Sequence, residues 1–164
     1  MNILGIDPGR NGALAVLDCE TLQVVTHDMP DSTPALHDLI ADLPQIRVCC
    51  LEQIHAGPQM ARRTIGVMFE GFGVLKGALS WRSIPVQTVR PSVWKAALNV
   101  PAGKTAARRR ASEFFPNCAE QWVRAKDDGR AEAALLAWYG LNFVRGSWKP
   151  NDYRNLRDEM VGGA

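Results

Sequence analysis

The sequence predicts an α/β protein with a mixed, five-stranded sheet and helices on both of its faces. Two features predict this class. Near the N-terminus, turn residues separate apolar runs at residues 2–7 and 13–17 and a candidate third strand over 22–26, which predicts an antiparallel meander. Beyond residue 34, helical periodicity alternates with short apolar runs, as expected for helices packed on a sheet.

Each element has a local signal of its own. The first strand stops at Asp7 because Pro8 and Gly9 follow it. A Ser or Thr cap followed by Pro34 predicts a helix over 34–42. The remaining predicted elements are a strand over 47–52, a helix from Gly57-Pro58 to about Ser80, a strand over 84–89, a helix near 91–98, a basic helix over 104–115 closed by Pro116, and a last helix from Asp127 to about Phe143.

Length and composition favour a single domain. The chain has 164 residues, of which 46% are hydrophobic and 22% charged, enough for one sizeable core. We expect that domain over residues 1–145 and a polar tail without periodicity over 146–164. Because no apolar run reaches the roughly 18 residues of a membrane span and no signal peptide is recognisable, we expect a cytoplasmic protein without a membrane partner.

The four cysteines lack the spacing of a metal or redox motif. Cys49 and Cys50 are adjacent on a predicted strand and would point to opposite faces, which suits neither chelation nor a mutual disulfide. We therefore expect all four to be reduced packing residues.

Charge is segregated along the chain although its net value is only +2. Residues 1–59 carry 2 basic and 8 acidic side chains, residues 60–126 carry 12 and 3, and residues 127–164 carry 5 and 6. This asymmetry suits a protein that holds metal ions in one place and phosphates in another. Solvated faces without such a role are the alternative.

Acidic residues fall where the predicted fold can gather them. Asp7 and Glu52 each end an apolar strand, and three more acids open the last helix, where residues 128 and 132 share one face. Crowded carboxylates raise one another's pKa unless cations compensate, and hard oxygen ligands suit Mg²⁺ or Mn²⁺. Alternatively, Asp7 only forms a turn and the Asp127-Asp128 pair only caps the helix.

Four segments, in their order and spacing, resemble the RuvC Holliday junction resolvases. They are residues 3–9 (ILGIDPG), 51–53 (LEQ), 91–95 (PSVWK) and 131–137 (AEAALLA), and the resemblance extends over residues 1–144. It implies an RNase H-like fold and a homodimer that presents two active sites to a four-way DNA junction. It also implies paired nicks that depend on two Mg²⁺ ions per site, which Mn²⁺ can replace.

The resemblance maps catalytic, metal-binding acids onto this chain. Asp7 and Glu52 match the first two acids, and Glu132 matches the last, where the family usually has Asp. The family's third acid falls on Gly129 here, which departs from the pattern. The neighbouring acids that can substitute are Asp128 and, in reserve, Asp127.

The family's basic residues also have counterparts. Lys95 matches a family lysine, and Lys104 matches the lysine after a glycine-containing loop, suited to catalysis at the scissile phosphate and to backbone contact. His55 stands where the family tends to carry an aromatic side chain, and an imidazole can stack on a base or contact phosphate. The other predicted phosphate contacts are Arg62, Arg63, Arg108, Arg109 and Arg110.

The predicted helix over 58–80 contains four glycines, each of which weakens it by up to ~1 kcal/mol relative to Ala. Their presence predicts close approach of another backbone. This helix resembles the one through which RuvC subunits pair, and the resemblance implies that a twin helix supplies the approaching backbone. The alternative is tight packing on the chain's own sheet.

Three other functions compete with a resolvase. A sugar kinase or Hsp70-type ATPase needs two such domains with phosphate loops, more than 164 residues supply. A different RNase H-like nuclease acting on RNA could share Asp7 and Glu52. An inactive junction-binding protein is the third, because two acids depart from the family pattern.

Overall fold

A computed structural model describes residues 1–103 and 105–144. Lys104 and the predicted tail over 146–164 lie outside the described residues. The strands are β1 (Asn2–Asp7), β2 (Ala13–Asp18), β3 (Val24–Asp28), β4 (Ile46–Glu52) and β5 (Val86–Val89). They form one sheet in the order β3-β2-β1-β4-β5. β1, β2 and β3 pair antiparallel, whereas β4 runs parallel to β1 and β5, so the predicted mixed sheet is confirmed.

In the part of the chain that the structure describes, five α-helices connect or follow these strands. They are α1 (Thr33–Asp42), α2 (Arg62–Trp81), α3 (Pro91–Ala97), α4 (Ala106–Phe114) and α5 (Asp128–Val144). The predicted cap of α1 is confirmed, because the Ser32 hydroxyl accepts the Ala35 N–H. Two 3-10 segments, Pro116–Trp122 and Ala125–Asp127, were not predicted from the sequence.

Several element starts were predicted too early, including those of β3, α2, β5 and α4. β3 begins at Val24 because Leu22 lies in a turn, with a φ of 59° and its N–H bonded to the Asp18 carbonyl. α2 begins at Arg62 because a separate turn, in which the Met60 N–H bonds to the Gly57 carbonyl, precedes it. For β3 and α2, a hydrogen-bonded turn occupies the residues that were predicted to begin the element.

The sheet separates two hydrophobic cores. One lies between the sheet and helices α3, α4 and α5, and the other lies between the sheet and helices α1 and α2. Cys50 belongs to the first core and Cys49 to the second, as their adjacency on β4 predicts. All four cysteines are buried, and burial raises the pKa of the Cys50 thiol to about 12. The predicted packing role is confirmed.

Glycine lets α5 lie directly on the central strand. A Cβ added to Gly5 would stand 2.1 Å from the Ala133 carbonyl oxygen and 2.3 Å from the Ala137 nitrogen. These separations are far below van der Waals contact, so any side chain at residue 5 would push α5 off the sheet. Within the chain, a close approach of two backbones therefore occurs between β1 and α5.

The glycines of α2 face open space within the chain. A Cβ added to any of them, Gly66, Gly71, Gly73 or Gly77, would meet no described atom within 4 Å. The alternative in which they permit tight packing on the chain's own sheet is wrong, because α2 packs on the sheet through Leu75 and Leu79. Among the described residues, no helix is both long and apolar enough for a membrane span.

Candidate metal centre

Asp7 and Glu52 end neighbouring parallel strands. The residues before them, Ile6 and Leu51, pair in the β1/β4 register and both belong to the core beneath α1 and α2. Since successive strand residues point to opposite faces, Asp7 and Glu52 both point towards the α5 side. The strand register thus places the two predicted acids next to each other.

Helix α5 supplies a third carboxylate. Glu132 lies in its second turn, beside the segment that packs on Gly5 of β1. One oxygen from each of Asp7, Glu52 and Glu132 lies within 4.8 Å of the others, and all three residues are partly buried. Hard oxygen donors at this spacing fit a Mg²⁺ or Mn²⁺ ion.

Each carboxylate also accepts a hydrogen bond from the protein. The Gly9 N–H donates to Asp7 Oδ1 at 3.1 Å, and the Trp94 indole Nε1 donates to Glu52 Oε2 at 2.7 Å. The Lys95 ammonium donates to Glu132 Oε1 at 2.8 Å. Backbone and side-chain donors therefore fix the orientation of all three acids.

Burial and neighbouring negative charge raise the pKa values of Asp7 and Glu52. Burial raises the pKa of Asp7 to about 6, and the nearby Glu132 charge adds to the rise, while the Gly9 N–H and Lys95 oppose it. Burial likewise raises the pKa of Glu52 to about 7, opposed by the Trp94 hydrogen bond and increased by Asp7 and Glu132. A bound cation would favour the ionised forms of both acids.

The other two predicted acidic ligands are not brought into this cluster. Asp128 Oδ1 accepts a 2.7 Å hydrogen bond from Arg108 Nε, which joins α4 to the start of α5. Asp127 is buried and bonds to Arg124 through both the backbone N–H and the guanidinium. Asp127 belongs to the capping box of the 3-10 segment before α5, and Asp128 forms an ion pair between α4 and α5. The cap of the last helix by this pair stays a prediction.

The position where the family carries its third acid has no room for one. A Cβ at Gly129 would stand 2.4 Å from the Asn11 carbonyl oxygen and 2.8 Å from the Gly12 Cα. The loop between β1 and β2 therefore occupies the space that an aspartate would need. This loop therefore explains why glycine, and not the family's aspartate, fits at residue 129.

The predicted DNA-binding residues lie around the cluster and on α2 and α4. Lys95 contacts Glu132 directly and so belongs to the acid cluster as much as to a DNA path. His55 is exposed in the loop after β4, and Arg62 and Arg63 are exposed at the start of α2. Lys104 lies outside the described residues.

The arginines of α4 differ in their partners. Arg108 is bonded to Asp128 and to the Val123 carbonyl, and Arg110 to the Leu98 carbonyl and Glu113. Arg109 is exposed and has no ion pair among the described residues. A cavity of about 490 Å³ opens between α3 and α4; its lining includes Lys95, Asn99, Arg109 and Arg110.

The fold of this chain is similar to that of several solved structures. No family model matches the sequence, and no curated protein matches it either. RuvC from Thermus thermophilus, in complex with a Holliday junction substrate, matches 88% of this chain and 96% of its own at a TM-score of 0.67. The chain has the RuvC fold. A second Thermus thermophilus RuvC structure matches at a TM-score of 0.61 with the same 88% coverage of this chain and 97% of its own.

The RuvC fold is shared at low sequence identity. Both Thermus structures are 16% identical to this chain, as is the yeast mitochondrial Holliday junction resolvase, which matches 96% of this chain and 83% of its own at a TM-score of 0.52. The predicted RNase H-like, α/β architecture is confirmed by these matches. Within the RuvC fold, Asp7, Glu52 and Glu132 owe their proximity to the β1/β4 register and to the contact of α5 with Gly5.

One residue of the site has no predicted role. Trp94 is fully buried on α3, yet its indole N–H reaches the Glu52 carboxylate. The sequence does offer a signal for Trp94, because it precedes the predicted site residue Lys95. A buried indole N–H needs an acceptor, and a site carboxylate can provide one.

Proposed function

We propose that this protein is a divalent-cation-dependent endonuclease that cuts branched DNA, with the four-way Holliday junction as its substrate. The observation that carries the proposal is the cluster of three partly buried carboxylates on the RuvC fold. Two of these acids have raised pKa values, so the protein maintains a site that a cation would stabilise. We propose Mg²⁺ as the physiological ion, with Mn²⁺ as a substitute.

The reaction would be hydrolysis of a DNA phosphodiester. The water oxygen forms a new bond to phosphorus, the bond between phosphorus and O3′ breaks, and the departing O3′ takes a proton. Asp7, Glu52 and Glu132 would hold the cation, which supplies charge stabilisation for the phosphate and lowers the pKa of a bound water. Trp94 and Lys95 orient two of these carboxylates.

A path for the DNA backbone is available beside the site. Arg109 and the cavity between α3 and α4 offer phosphate contacts close to Lys95. Arg62 and Arg63 open α2, where positive charge opposes the helix dipole, so helix stability does not explain them. We propose that these two arginines contact phosphates too, together with Lys104 and with His55 near the junction centre.

Substitution of one metal ligand tests the assignment. Asp7→Asn should reduce cleavage of a labelled four-way junction in Mg²⁺ by on the order of 10³-fold or more, because it removes a charged ligand. Junction binding in Ca²⁺, measured by gel shift, should stay within about twofold, since the fold and basic surface are unchanged. Asp38→Asn, at an exposed site on α1, is the matched control and should cleave normally. Normal cleavage by Asp7→Asn would refute the assignment.

Comparing substrates separates the resolvase from its competitors. The wild-type protein should nick four-way junctions faster than flaps, linear duplex or single-stranded RNA. Preference for RNA would favour the RNA-directed RNase H-like nuclease. Junction binding without Mg²⁺-dependent nicking of any substrate would favour an inactive junction-binding protein.

We propose that the protein is a homodimer that pairs through the outer face of α2. This face carries Gly66, Gly73 and Gly77, which leave room for a second backbone, and the exposed ring of Phe69. Phe69 is 49% exposed although it is large and apolar. A twin helix would cover this face, since glycines permit close helix approach.

A charge on this face should break the dimer. Phe69→Glu places like charges opposite each other across a twofold axis, so its mass by light scattering should fall from two chains to one. Val123 is 68% exposed away from α2, so Val123→Glu is the control and should leave the mass at two chains. A wild-type mass of one chain would contradict the proposal.

A further inference from the structure

We propose that this active site holds a single divalent ion and that the Lys95 ammonium takes the place of a second cation. The inference rests on the proposed function, because it concerns the same three carboxylates. It departs from the two-ion arrangement that the family resemblance implies.

The supply of carboxylate oxygens favours one ion. Asp7, Glu52 and Glu132 each have one oxygen engaged by a protein donor, at 3.1, 2.7 and 2.8 Å. Three carboxylate oxygens remain without a protein donor among the described residues. An octahedral Mg²⁺ bound by one oxygen from each acid keeps three positions for water and phosphate, so the three carboxylates suffice for one complete ion site.

Among the described residues, no fourth carboxylate joins the cluster of Asp7, Glu52 and Glu132. Gly129 has the Asn11 carbonyl 2.4 Å from the position of a Cβ, so no acid fits there without moving the loop. The side chains of Asp128 and Asp127 are held by Arg108 and Arg124 at distances of 2.7 and 2.9 Å. Neither Asp128 nor Asp127 belongs to the group of acids whose oxygens lie within 4.8 Å of one another.

Lys95 is held at the cluster by two contacts. Its ammonium lies 2.8 Å from Glu132 Oε1 and 5.1 Å from the centroid of the Trp94 ring. Three ionised carboxylates carry a charge of −3, which one divalent ion and one ammonium balance. Two divalent ions beside the same ammonium would leave the site with excess positive charge before DNA arrives.

Counting bound Mn²⁺ by electron paramagnetic resonance tests this inference without relying on activity. The wild-type protein, titrated alone and again with nicked product duplex, should bind one ion per chain and show the spectrum of an isolated Mn²⁺. Lys95→Met removes the ammonium and frees Glu132 Oε1. This variant should bind a second ion, and the two ions should give a magnetically coupled spectrum because they would lie about 4 Å apart. Lys76→Met, at an exposed lysine of α2, is the control and should behave as wild type.

The possible outcomes separate this inference from the proposed function. Two coupled ions in the wild-type protein would overturn the inference and leave the proposed nuclease intact. One ion in both the wild type and Lys95→Met would show that Lys95 does not exclude the second ion, which also overturns it. No Mn²⁺ binding by the wild type would remove the metal site, and with it both proposals.

Discussion

Burial of Asp7 and Glu52 imposes a cost on the metal-free protein. Their pKa values rise to about 6 and about 7, so the folded state holds their protons more tightly than the unfolded chain does. Stability from such groups is present below the unfolded pKa of about 4 and is lost as the pH rises through the folded pKa. Ionised acids therefore destabilise the empty site at neutral pH.

Because both pKa values are raised in the folded state, the free energy of unfolding should depend on pH. In EDTA, the free energy of unfolding of the wild type should fall between pH 4 and pH 8, relative to Asp7→Asn, by about 1 to 3 kcal/mol. Urea unfolding of both proteins across this range measures the difference. Asp38→Asn, which removes an exposed acid, is the control and should run parallel to the wild type. A constant difference between wild type and Asp7→Asn would contradict the prediction.

Residue-level prediction worked best for acids at strand ends. Asp7 and Glu52 were predicted because each ends an apolar run, and strand periodicity is local. Asp128 was also predicted as a ligand, but Arg108, 20 residues earlier in the chain, bonds to it. No local pattern reveals such a partner.

At the scale of elements, the contact between α5 and β1 positions Glu132. Gly5 is the residue that permits it, since the Ala133 carbonyl lies 2.1 Å from where its Cβ would be. The helices on the two faces of the sheet thus differ in whether a side chain can be added at the nearby glycines. α5 needs a bare strand backbone beneath it, whereas α2 has open space around its glycines.

Two alanine substitutions should therefore act in opposite directions. Gly5→Ala should destabilise the protein by about 3 kcal/mol or more, because α5 or the sheet must shift. Gly71→Ala, on an exposed flank of α2, should raise stability by up to ~1 kcal/mol through helix propensity. Urea unfolding of the two variants beside the wild type measures both. Equal effects would show that α5 does not pack as closely as described.

The whole molecule keeps its acids and its free basic groups in neighbouring but separate places. The acids cluster at the ends of β1 and β4, while α4 adds one arginine, Arg109, that is exposed and has no ion pair among the described residues. Arg108 and Arg110 are engaged within the fold. Only some of the basic charge counted along the sequence is therefore available for a DNA backbone.

This distinction predicts unequal effects on DNA binding. Arg109→Ala should reduce the slope of log affinity for a four-way junction against log salt by about 0.9, the loss of one phosphate contact. Arg47→Ala is the control, because Arg47 is exposed on β4 at the strand end opposite Glu52, and its slope should not change. Fluorescence anisotropy in Ca²⁺ at several salt concentrations measures both. An unchanged slope for Arg109→Ala would exclude α4 from the DNA path.

By itself, the sequence determined the strand and helix order and the mixed sheet, because apolar periodicity and turn residues act over short distances. The three clustered acids were also among its predicted ligands, two from strand ends and Glu132 from its place on the last helix and the family resemblance. Only the tertiary structure decided that Glu132 joins Asp7 and Glu52 while Asp128 and Asp127 do not. That choice depends on how α5 is rotated over Gly5 and on partners from distant segments. Packing between elements sets the rotation of α5 and the partners of Asp127 and Asp128. No residue pattern within a single element encodes either of these.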